Sequence, residues 1–437
     1  MCGIAGFVGP DVAADTRHDA VARMCGAMLH RGPDDGAVSS ATHATLGMRR
    51  LAIFDPANGR QPVKTPDGRL TLVFNGALYN FRELRAELAS VGFTFSTDCD
   101  TEVLLAAYAR WGERCLPRLR GMFAFAVWDA QEATLFLARD PFGIKPLYYR
   151  HDGADLLFAS ELNALLSAGV FAGEIDPQSV ADYLAWLAVP APRTIYRGIY
   201  SLRPGECATF HRGQLDTRAS WSFRGIARDA KASRSQAEFE RELRARLEDT
   251  IKVHVAADVP VGAFLSGGLD SAVVTGLMTR LTGARLKTFS IGFEEADYDE
   301  SSAAVATARH LGTDHQTRVL TGQEVARDLP ALLAAMDQPT GDGINTYSAS
   351  QTARAGGVTV ALSGLGGDEL LGGYPSFRDI PKLGRLLPMW GLLPASIQQG
   401  ILARLRSRGT RFQKLADLLQ HSRGLPELCS LQRRVFA

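Results

Sequence analysis

The 437-residue chain lacks long apolar runs, has little lysine and carries almost no net charge, and each absence excludes a class of protein. No uncharged apolar run reaches the roughly 18 residues that a membrane-spanning helix needs, so no span is predicted. Lysine and arginine total 48 and aspartate and glutamate total 47, a balance that gives no reason to expect a nucleic acid or a charged membrane as partner. Only seven of the 48 cationic residues are lysine, which makes each lysine easy to follow.

Cysteine is also sparse, and its spacing excludes two further kinds of protein. The six cysteines form no C-x-x-C pair, so neither a zinc site nor a dense disulfide framework is predicted. The N-terminus has no basic stretch followed by an apolar one, so no signal peptide is expected. A reduced, cytoplasmic location fits these features best. Hydrophobic residues at 46% and charged residues at 22% are typical of a globular protein, and the length predicts two or three domains.

The first two hundred residues alternate short aromatic and β-branched runs with a few helical patterns. Strands are predicted at residues 70–75, 123–128, 134–138, 147–150 and 156–159, and helices at residues 81–91 and 101–111. A hairpin is predicted at residues 206–216, with its turn at His211, Arg212 and Gly213. Strands in succession with helices outside them favour a layered α+β domain.

The second half changes to an alternation of strands and helices. Ser235 and Glu238 form a capping box that predicts the start of a helix. In this helix apolar residues recur every four positions and should form one buried stripe: Phe239, Leu243, Leu247 and Ile251. Strands are predicted at residues 261–265, 286–293 and 358–362. This alternation is typical of a doubly wound parallel sheet.

These patterns predict a domain at residues 1–205, a hairpin and linker at 206–234 with its polar part at 222–235, and a second domain at 235–437. Residues 401–437 carry eight basic and two acidic side chains and are expected to be helical. A solvated helix face explains that charge better than a packing face for an absent segment.

Cys2 becomes the N-terminal residue if Met1 is removed, and its own α-amine, with a pKa of about 8, can then accept the thiol proton. A nucleophilic thiol that attacks an amide needs donors for the developing oxyanion. Asn75 and Gly76 end a predicted strand and could supply them, although Asn-Gly is also a common hairpin turn. Arg50 could bind the carboxylate of a glutamine substrate and Asp100 its ammonium group, or Asp100 could cap the following helix.

A second cluster of candidate residues lies in the sequence Ser-Gly-Gly-Leu-Asp-Ser at 266–271, between a predicted strand and a helix. Its glycines let the backbone N–H groups approach an anion, and Asp270 could hold Mg²⁺. No Gly-Lys pair occurs in the chain, so this loop is not a P-loop. A second Gly-rich turn, at residues 363–369, should lie at the same sheet edge, unless it is an ordinary tight turn.

The N-terminal half resembles the class II glutamine amidotransferases. The resemblance is carried by residues 1–6 (MCGIAG), 30–34 (HRGPD), 50–53 (RLAI), 75–80 (NGALYN), 121–125 (GMFAF) and 139–143 (RDPFG). It implies an N-terminal-nucleophile fold, a four-layer αββα sandwich, in which Cys2 forms a glutamyl thioester and releases ammonia. It implies an oxyanion hole at Asn75 and Gly76, with glutamine bound by Arg50, Ile53, Asn75 and Asp100. The family usually has Glu where Ala77 stands, so we expect weaker glutamine binding here.

The second half resembles the ATP-pyrophosphatase domain, and the two halves together resemble glutamine-dependent asparagine synthetase up to about Tyr374. The resemblance implies an internal ammonia tunnel, adenylation of aspartate by ATP, release of AMP and pyrophosphate, and a homodimer. It implies Mg²⁺ at Asp270 and Asp368. The implied ATP-binding residues are Leu265, Ser266, Gly267, Gly268, Asp270, Ser271, Ile291, Ser363 and Gly364.

The chain departs from this family at two places in its second half. Leu365 replaces an acidic residue that is thought to assist the adenylate chemistry. Family members also continue further, with a catalytic lysine that neither Lys382 nor Lys414 matches, so the second domain is expected to be C-terminally incomplete. Two alternatives therefore stay open: amidation of another carboxylate, or a glutaminase or nucleotide-binding protein with an incomplete synthetase site.

Overall fold

The computed structural model describes residues 1–222, 235–283, 285–295 and 299–433. Most of the predicted linker at 222–235 therefore lies outside the described residues. The described chain forms an N-terminal domain with two antiparallel sheets and a C-terminal domain with one parallel sheet.

Two six-stranded sheets form the centre of the N-terminal domain. The first has the order β10-β8-β9-β1-β3-β2, formed by β1 (Gly3–Val8), β2 (Asp35–Ser40), β3 (Ala44–Arg50), β8 (Tyr148–Asp152), β9 (Asp155–Ala159) and β10 (Tyr200–Ser201). The second has the order β12-β11-β7-β6-β5-β4, formed by β4 (Val63–Lys64), β5 (Leu70–Leu78), β6 (Gly121–Asp129), β7 (Thr134–Arg139), β11 (Glu206–His211) and β12 (Gln214–Ala219).

Strand β1 shows why these sheets stack with helices outside them. Ile4 faces the cluster between the two sheets, whereas Phe7 faces the cluster beneath helices α1 (Ala14–Ala27) and α4 (Leu162–Ser167). Successive strand side chains point to opposite faces, so a strand that is apolar on both faces must be covered on both. Helices α2 (Phe81–Ser90) and α3 (Asp100–Trp111) cover the second sheet in the same way, and α5 spans Pro177–Trp186. The predicted αββα sandwich is confirmed.

The sequence-based prediction was wrong at the end of β5. This strand does not stop at Asn75 but runs through Gly76 to Leu78, so Asn-Gly is not a turn. Gly76 pairs with Phe123, and a β-carbon there would lie 2.3 Å from the carbonyl oxygen of Met122. Glycine is therefore required for close strand approach and not for a turn.

The hairpin predicted at 206–216 is confirmed as β11 and β12, but it is not a connector. Strand β11 pairs with β7, so the hairpin extends the second sheet of the N-terminal domain. The predicted boundary at residue 205 would cut this sheet.

The C-terminal domain has the parallel sheet β15-β14-β13-β16. Its strands are β13 (Val261–Phe264), β14 (Lys287–Phe293), β15 (Asp314–Leu320) and β16 (Val360–Leu362). Its helices are α6 (Gln236–His254), α7 (Leu269–Thr282), α8 (Ser301–Leu311), α9 (Gly322–Ala335), α10 (Gly343–Ala355), α11 (Gly367–Leu371), α12 (Pro375–Gly391), α13 (Ala395–Arg406), α14 (Thr410–His421) and α15 (Leu425–Arg433). The strand order reverses beside β13, so loops after β13 and β16 flank the usual ligand position of such sheets.

Helix α6 begins with the predicted capping box, in which Ser235 and Glu238 each bond the other's backbone. Its predicted buried stripe is wrong. Phe239 is 51% exposed, and of the four stripe residues only Ile251 is buried, against Ala263 in β13. The helix therefore packs on the sheet only at its C-terminal end.

Two expectations from the sequence, no membrane span and no disulfide framework, can be compared with the described residues. No helix in the described ranges is long and apolar enough to cross a membrane. All six cysteines are free thiols, and four of them, Cys25, Cys99, Cys115 and Cys207, are buried.

Polar groups join the two domains at the start of α4 and at the loop that follows β3. Asp337 accepts hydrogen bonds from the backbone N–H groups of Leu162 and Asn163 in α4, both at 2.8 Å. Asp258 donates its N–H to the carbonyl of Ile53 at 3.1 Å and accepts from the N–H of Asp55 at 3.0 Å. These bonds fix how the C-terminal domain lies on the N-terminal one.

Asp337→Ala removes the carboxylate that accepts hydrogen bonds from two N–H groups in the first turn of α4. We expect hydrogen exchange at the amides of Leu162 and Asn163 to accelerate about tenfold, which corresponds to loss of a hydrogen bond to a charged group. Exchange read by NMR or mass spectrometry tests this, with Asp328→Ala as control because Asp328 pairs with Arg327 on the surface. Equal exchange in Asp337→Ala and the parent protein would contradict the assigned contact.

Candidate functional site

Cys2 directly precedes β1 and is half-buried, facing the loop that follows β3. Its Sγ lies 3.6 Å from the carbonyl oxygen of Leu51. Burial raises the pKa of this thiol, so its ionisation depends on neighbouring groups. The α-ammonium of Met1 donates to the carbonyl of Arg31 at 3.2 Å, and burial lowers its pKa to about 6.

Asn75 lies on the face of β5 that is turned toward the first sheet. It is 1% exposed, and its Nδ2 has no hydrogen-bond partner in the described part of the chain. Neighbouring Val73 belongs to the same cluster as Ile4, against which Cys2 also packs. A buried amide donor without a partner is uncommon, and this one belongs to the strand whose Val73 packs in the same cluster as Cys2.

Asp100 is the first residue of α3 and only 3% exposed. Its Oδ2 accepts the N–H of Leu78 at 2.9 Å, and burial raises its pKa to about 6. Cys99, not Asp100, is the N-cap residue, so the capping alternative for Asp100 is wrong. Burial raises the pKa of Cys2, and the negative charge of Asp100 adds to this effect.

Arg50, at the end of β3, is 4% exposed and shapes the loop beside Cys2. Its guanidinium donates to the carbonyls of Phe54, Asp55 and Pro56 at 2.8–3.0 Å. Ile53 lies in the same loop and is half-buried, with its carbonyl bonded to Asp258 as described above. The loop therefore connects the Cys2 site with the domain interface.

Sequence reasoning assigned no role to Arg31, Glu161 and Lys145, which the structure brings to the N-terminal residues. Arg31 donates from Nε to the Cys2 carbonyl at 3.0 Å and from Nη1 to Glu161 at 3.0 Å. Lys145 is 5% exposed, and its Nζ is 3.2 Å from the sulfur of Met1. The signals were present, because Arg31 stands in the HRGPD motif and Lys145 is one of only seven lysines.

The second site is a cleft of about 630 Å³ between the two Gly-rich turns. The first turn is held by its own serines: the Oγ atoms of Ser266 and Ser271 are 2.9 Å apart, and Ser266 Oγ accepts the N–H of Gly268 at 3.2 Å. Helix α7 starts at the next residue without a side-chain cap, so its first N–H groups face the cleft. The predicted residues that line the cleft are Ser266, Gly268, Asp270, Ser271, Ser363, Gly364 and Asp368.

Three of the predicted nucleotide residues do not line this cleft. Leu265 is 1% exposed and packs against Ala304 and Ala308. Gly267 approaches the start of α8, and Ile291 is half-buried within β14. Their predicted roles stay predictions.

Two carboxylates, Asp270 and Asp368, border the cleft from the two turns. In the described ranges no three His, Cys, Asp or Glu side chains form a group that could hold a metal ion without other ligands. Mg²⁺ characteristically takes one or two carboxylates and completes its shell with phosphates and water. The donor set fits a metal that arrives with a phosphate ligand. Leu365 is at the rim of the same cleft and is 87% exposed.

A smaller cavity of about 380 Å³ lies between the domains. Met1, Arg31 and Leu51 line its N-terminal side, and Phe264 and Ala361 line its C-terminal side. Phe264 also borders the 630 Å³ cleft, so the two spaces adjoin at one side chain. Phe264 thus lies between the Gly-rich cleft and a cavity that Met1, the neighbour of Cys2, also lines.

Gly364→Ala places a β-carbon 2.6 Å from the backbone nitrogen of Ser271, so the two Gly-rich turns must separate. We expect a loss of about 1–3 kcal/mol in the free energy of unfolding, as for other overpacked positions. Denaturant unfolding tests this against Gly391→Ala, whose β-carbon meets nothing within 4 Å. Equal losses in both variants would contradict the close approach of the turns.

The chain was compared with known protein families and proteins. Residues 1–221 match the glutamine amidotransferase domain family, and residues 242–433 match the asparagine synthase family. Asparagine synthetase (glutamine-hydrolyzing) 1 of Bacillus subtilis is 38% identical over 383 residues, an alignment that covers 87% of this chain and 60% of that protein. A relative from Methanocaldococcus jannaschii, provisionally named a glutamine-hydrolyzing asparagine synthetase, is 33% identical over 422 residues. This alignment covers 89% of this chain and 80% of that protein.

A third relative, amidase chry2 of Gibberella zeae, is 31% identical over 407 residues, with 86% of this chain and 60% of that protein covered. The chain thus spans about 60% of the length of the Bacillus and Gibberella proteins. Both halves nevertheless match their family over nearly all described residues. The chain belongs to the family of glutamine-hydrolysing asparagine synthetases.

Proposed function

We propose that the chain hydrolyses glutamine at Cys2 and passes the ammonia to an ATP-dependent site, where aspartate is adenylated and then amidated to asparagine. One observation carries this proposal: Phe264 borders both the cleft of the Gly-rich turns and the interdomain cavity that Met1 and Leu51 line. A nitrogen released beside Cys2 would have a protected route to the cleft.

In the first reaction the α-amine of Cys2, freed by removal of Met1, accepts the thiol proton. The thiolate attacks the side-chain amide carbon of glutamine, and the oxyanion accepts hydrogen bonds from Asn75 Nδ2 and the N–H of Gly76. Ammonia leaves, and water hydrolyses the thioester to glutamate. The unpartnered Nδ2 of Asn75 in the described structure supports this assignment. Arg50, Ile53 and Asp100 would bind the rest of glutamine.

In the second reaction the N–H groups of the 266–271 turn and of the first turn of α7 bind pyrophosphate oxygens. The nucleotide would contact residues of both turns, and Leu265 and Ile291 would complete its pocket. Asp270 and Asp368 would hold Mg²⁺, which when bound neutralises phosphate charge. ATP loses pyrophosphate as the carboxylate of aspartate attacks the α-phosphorus, and ammonia then displaces AMP from the acyl-adenylate.

A second candidate is amidation of a different carboxylate. Leu365 supports it, because an 87% exposed apolar side chain lines the cleft where the family resemblance implies an acid, and a leucine cannot move a proton. The relative from Gibberella zeae is named an amidase, so the family includes proteins with other names. The acceptor pocket rather than the ATP site would then differ.

Two further properties belong to this proposal. The free cysteines support a reduced, cytoplasmic location. The resemblance to the family supports a homodimer, which sedimentation of the purified protein would test.

The proposal predicts that glutamate, pyrophosphate and asparagine form together when glutamine, ATP, Mg²⁺ and aspartate are supplied. Pyrophosphate that does not rise with aspartate, but rises with another carboxylic acid, would favour the second candidate. Glutamate without pyrophosphate would leave only a glutaminase.

Cys2→Ala is the matched control for this assay. It should abolish glutamate formation, because the nucleophile is absent, while added ammonium chloride restores pyrophosphate release at the unaltered second site. Glutamate release that persists in Cys2→Ala would refute the nucleophile.

The raised pKa of Asp100 predicts how glutamine use depends on pH. The carboxylate must be ionised to attract the ammonium of glutamine, and with a pKa of about 6 it is neutral below and charged above that pH. We expect kcat/KM for glutamine to fall as pH drops from 7 to 5, with a break near 6. Asp100→Asn, which still accepts the N–H of Leu78, should lower kcat/KM about 10- to 100-fold and lose this break. An unchanged break would assign it to another group.

A further inference from the structure

Asp337 belongs to the C-terminal domain but bonds the N-terminal one, and the proposed reactions give it no role. It lies between α9 and α10, and its two carboxylate oxygens accept the N–H groups of Leu162 and Asn163, each at 2.8 Å. The next residue also reaches the N-terminal domain, because Gln338 Oε1 accepts the N–H of Ile195 at 3.2 Å. A hydrogen bond to a charged acceptor is stronger than one to a neutral acceptor. The first turn of α4 is therefore held from outside its own domain.

Ser160 and Glu161, the two residues directly before α4, hold the chain at its N-terminus. Ser160 is fully buried and makes two bonds to Ile4: its N–H donates to the Ile4 carbonyl at 2.9 Å, and its Oγ accepts the Ile4 N–H at 3.0 Å. Glu161 is 7% exposed and accepts from Arg31 Nη1 at 3.0 Å. Arg31 Nε in turn donates to the Cys2 carbonyl at 3.0 Å. The segment from Cys2 to Ile4 is thus bonded on both sides of Gly3.

The position of Cys2 depends on these bonds more than the position of a residue inside a strand would. Strand β1 pairs with β3 only from Gly3 onward, so Cys2 precedes the sheet. Residues at the end of a chain are poorly ordered unless other groups hold them. A nucleophile that is misplaced by about 1 Å can lose about 100-fold in rate. Whatever fixes Ser160 and Glu161 therefore bears on the reactivity of Cys2.

We propose that Asp337 is a positioning residue for Cys2, so that the docked C-terminal domain sets the reactivity of the nucleophile. By fixing the start of α4, Asp337 fixes Ser160 and Glu161, and these hold the main chain at Cys2. Asp337 acts through these residues, and no contact with glutamine is assigned to it. The inference rests on the proposed function only in taking Cys2 as the nucleophile.

The first experiment measures glutamate release over a range of glutamine concentrations. Asp337→Ala removes both acceptor oxygens. Asp337→Asn keeps the volume and one acceptor oxygen, and it replaces the alanine variant if thermal unfolding shows that the latter does not fold. Asp249→Ala is the matched control, because Asp249 in α6 pairs with Arg120, which precedes β6. This control loosens the contact between the domains at a place that the bonds to Cys2 do not involve.

We expect Asp337→Ala to lower kcat for glutamate release about tenfold and to change KM by less than about twofold, since a displaced nucleophile loses transition-state stabilisation and not substrate binding. Asp337→Asn should lie between this variant and the parent, and Asp249→Ala should keep both constants. The parent kcat in Asp337→Ala would overturn the proposal. So would an equal fall in Asp249→Ala, or a rise in KM at unchanged kcat.

Ser160→Ala tests the route between Asp337 and Cys2. It removes the acceptor of the Ile4 N–H and should itself lower kcat. If both residues act along one route, the double variant should have nearly the kcat of Asp337→Ala alone, because residues that share a route are not additive. Losses in kcat that multiply in the double variant would show two independent effects and contradict the proposed route.

Hydrogen exchange tests the same transmission without substrate. In Asp337→Ala the amide of Ile4 should exchange about 3- to 10-fold faster, together with those of Leu162 and Asn163. Faster exchange in α4 with parent exchange at Ile4 would overturn the inference. A parent protein that releases no glutamate would instead contradict the proposed function, and exchange at Ile4 would then decide the inference by itself.

Discussion

The hydrogen bond from Arg31 to the carbonyl of Cys2 is the interaction on which the rest of the site depends. The same guanidinium binds Glu161, the N-cap residue of α4, at 3.0 Å. The next two amides of α4 are held by Asp337 of the C-terminal domain. A continuous series of charged and backbone contacts thus connects Cys2 with the domain that carries the Gly-rich cleft.

This arrangement explains why the domain interface is polar. An apolar interface would exclude water but could not orient an N-terminal residue, which has little chain to hold it. Arg31, which bonds the Cys2 carbonyl, also lines the small cavity between Leu51 and Phe264. Both Gly-rich turns follow neighbouring parallel strands, β13 and β16, which brings their anion-binding ends to the same side.

Much of this could be predicted from sequence, and the failures have physical reasons. Strands β5 to β9 and helices α2 and α3 were predicted because their core faces are strongly apolar, whereas strands β1 to β4 and helix α1 were not predicted. The end of β5 was mistaken because Asn-Gly is a common turn. Here Gly76 instead lets strand β6 approach closely, and only the position of that partner strand shows it. The stripe of α6 was mistaken because periodicity shows which residues share a face, not that a neighbour covers it.

The residues of the candidate site also fall into two groups, those that the sequence predicts and those that only the fold brings together. Cys2, Asn75 and the two Gly-rich turns are visible in sequence because each has a local signature. Arg31, Glu161, Lys145 and Asp337 come from distant segments, and only the fold brings them to the N-terminus, so spacing could not find them. Strand β15 was also missed, since its alternation is weak and its residues are polar.

The central claim is that nitrogen moves from Cys2 to the Gly-rich cleft inside the protein. Glutamine labelled with ¹⁵N in its amide, supplied with aspartate, ATP and an excess of unlabelled ammonium, tests it most directly. The account predicts that the amide of the product carries nearly all its nitrogen as ¹⁵N. A product whose label is diluted to the ratio of the free ammonium pool would contradict it.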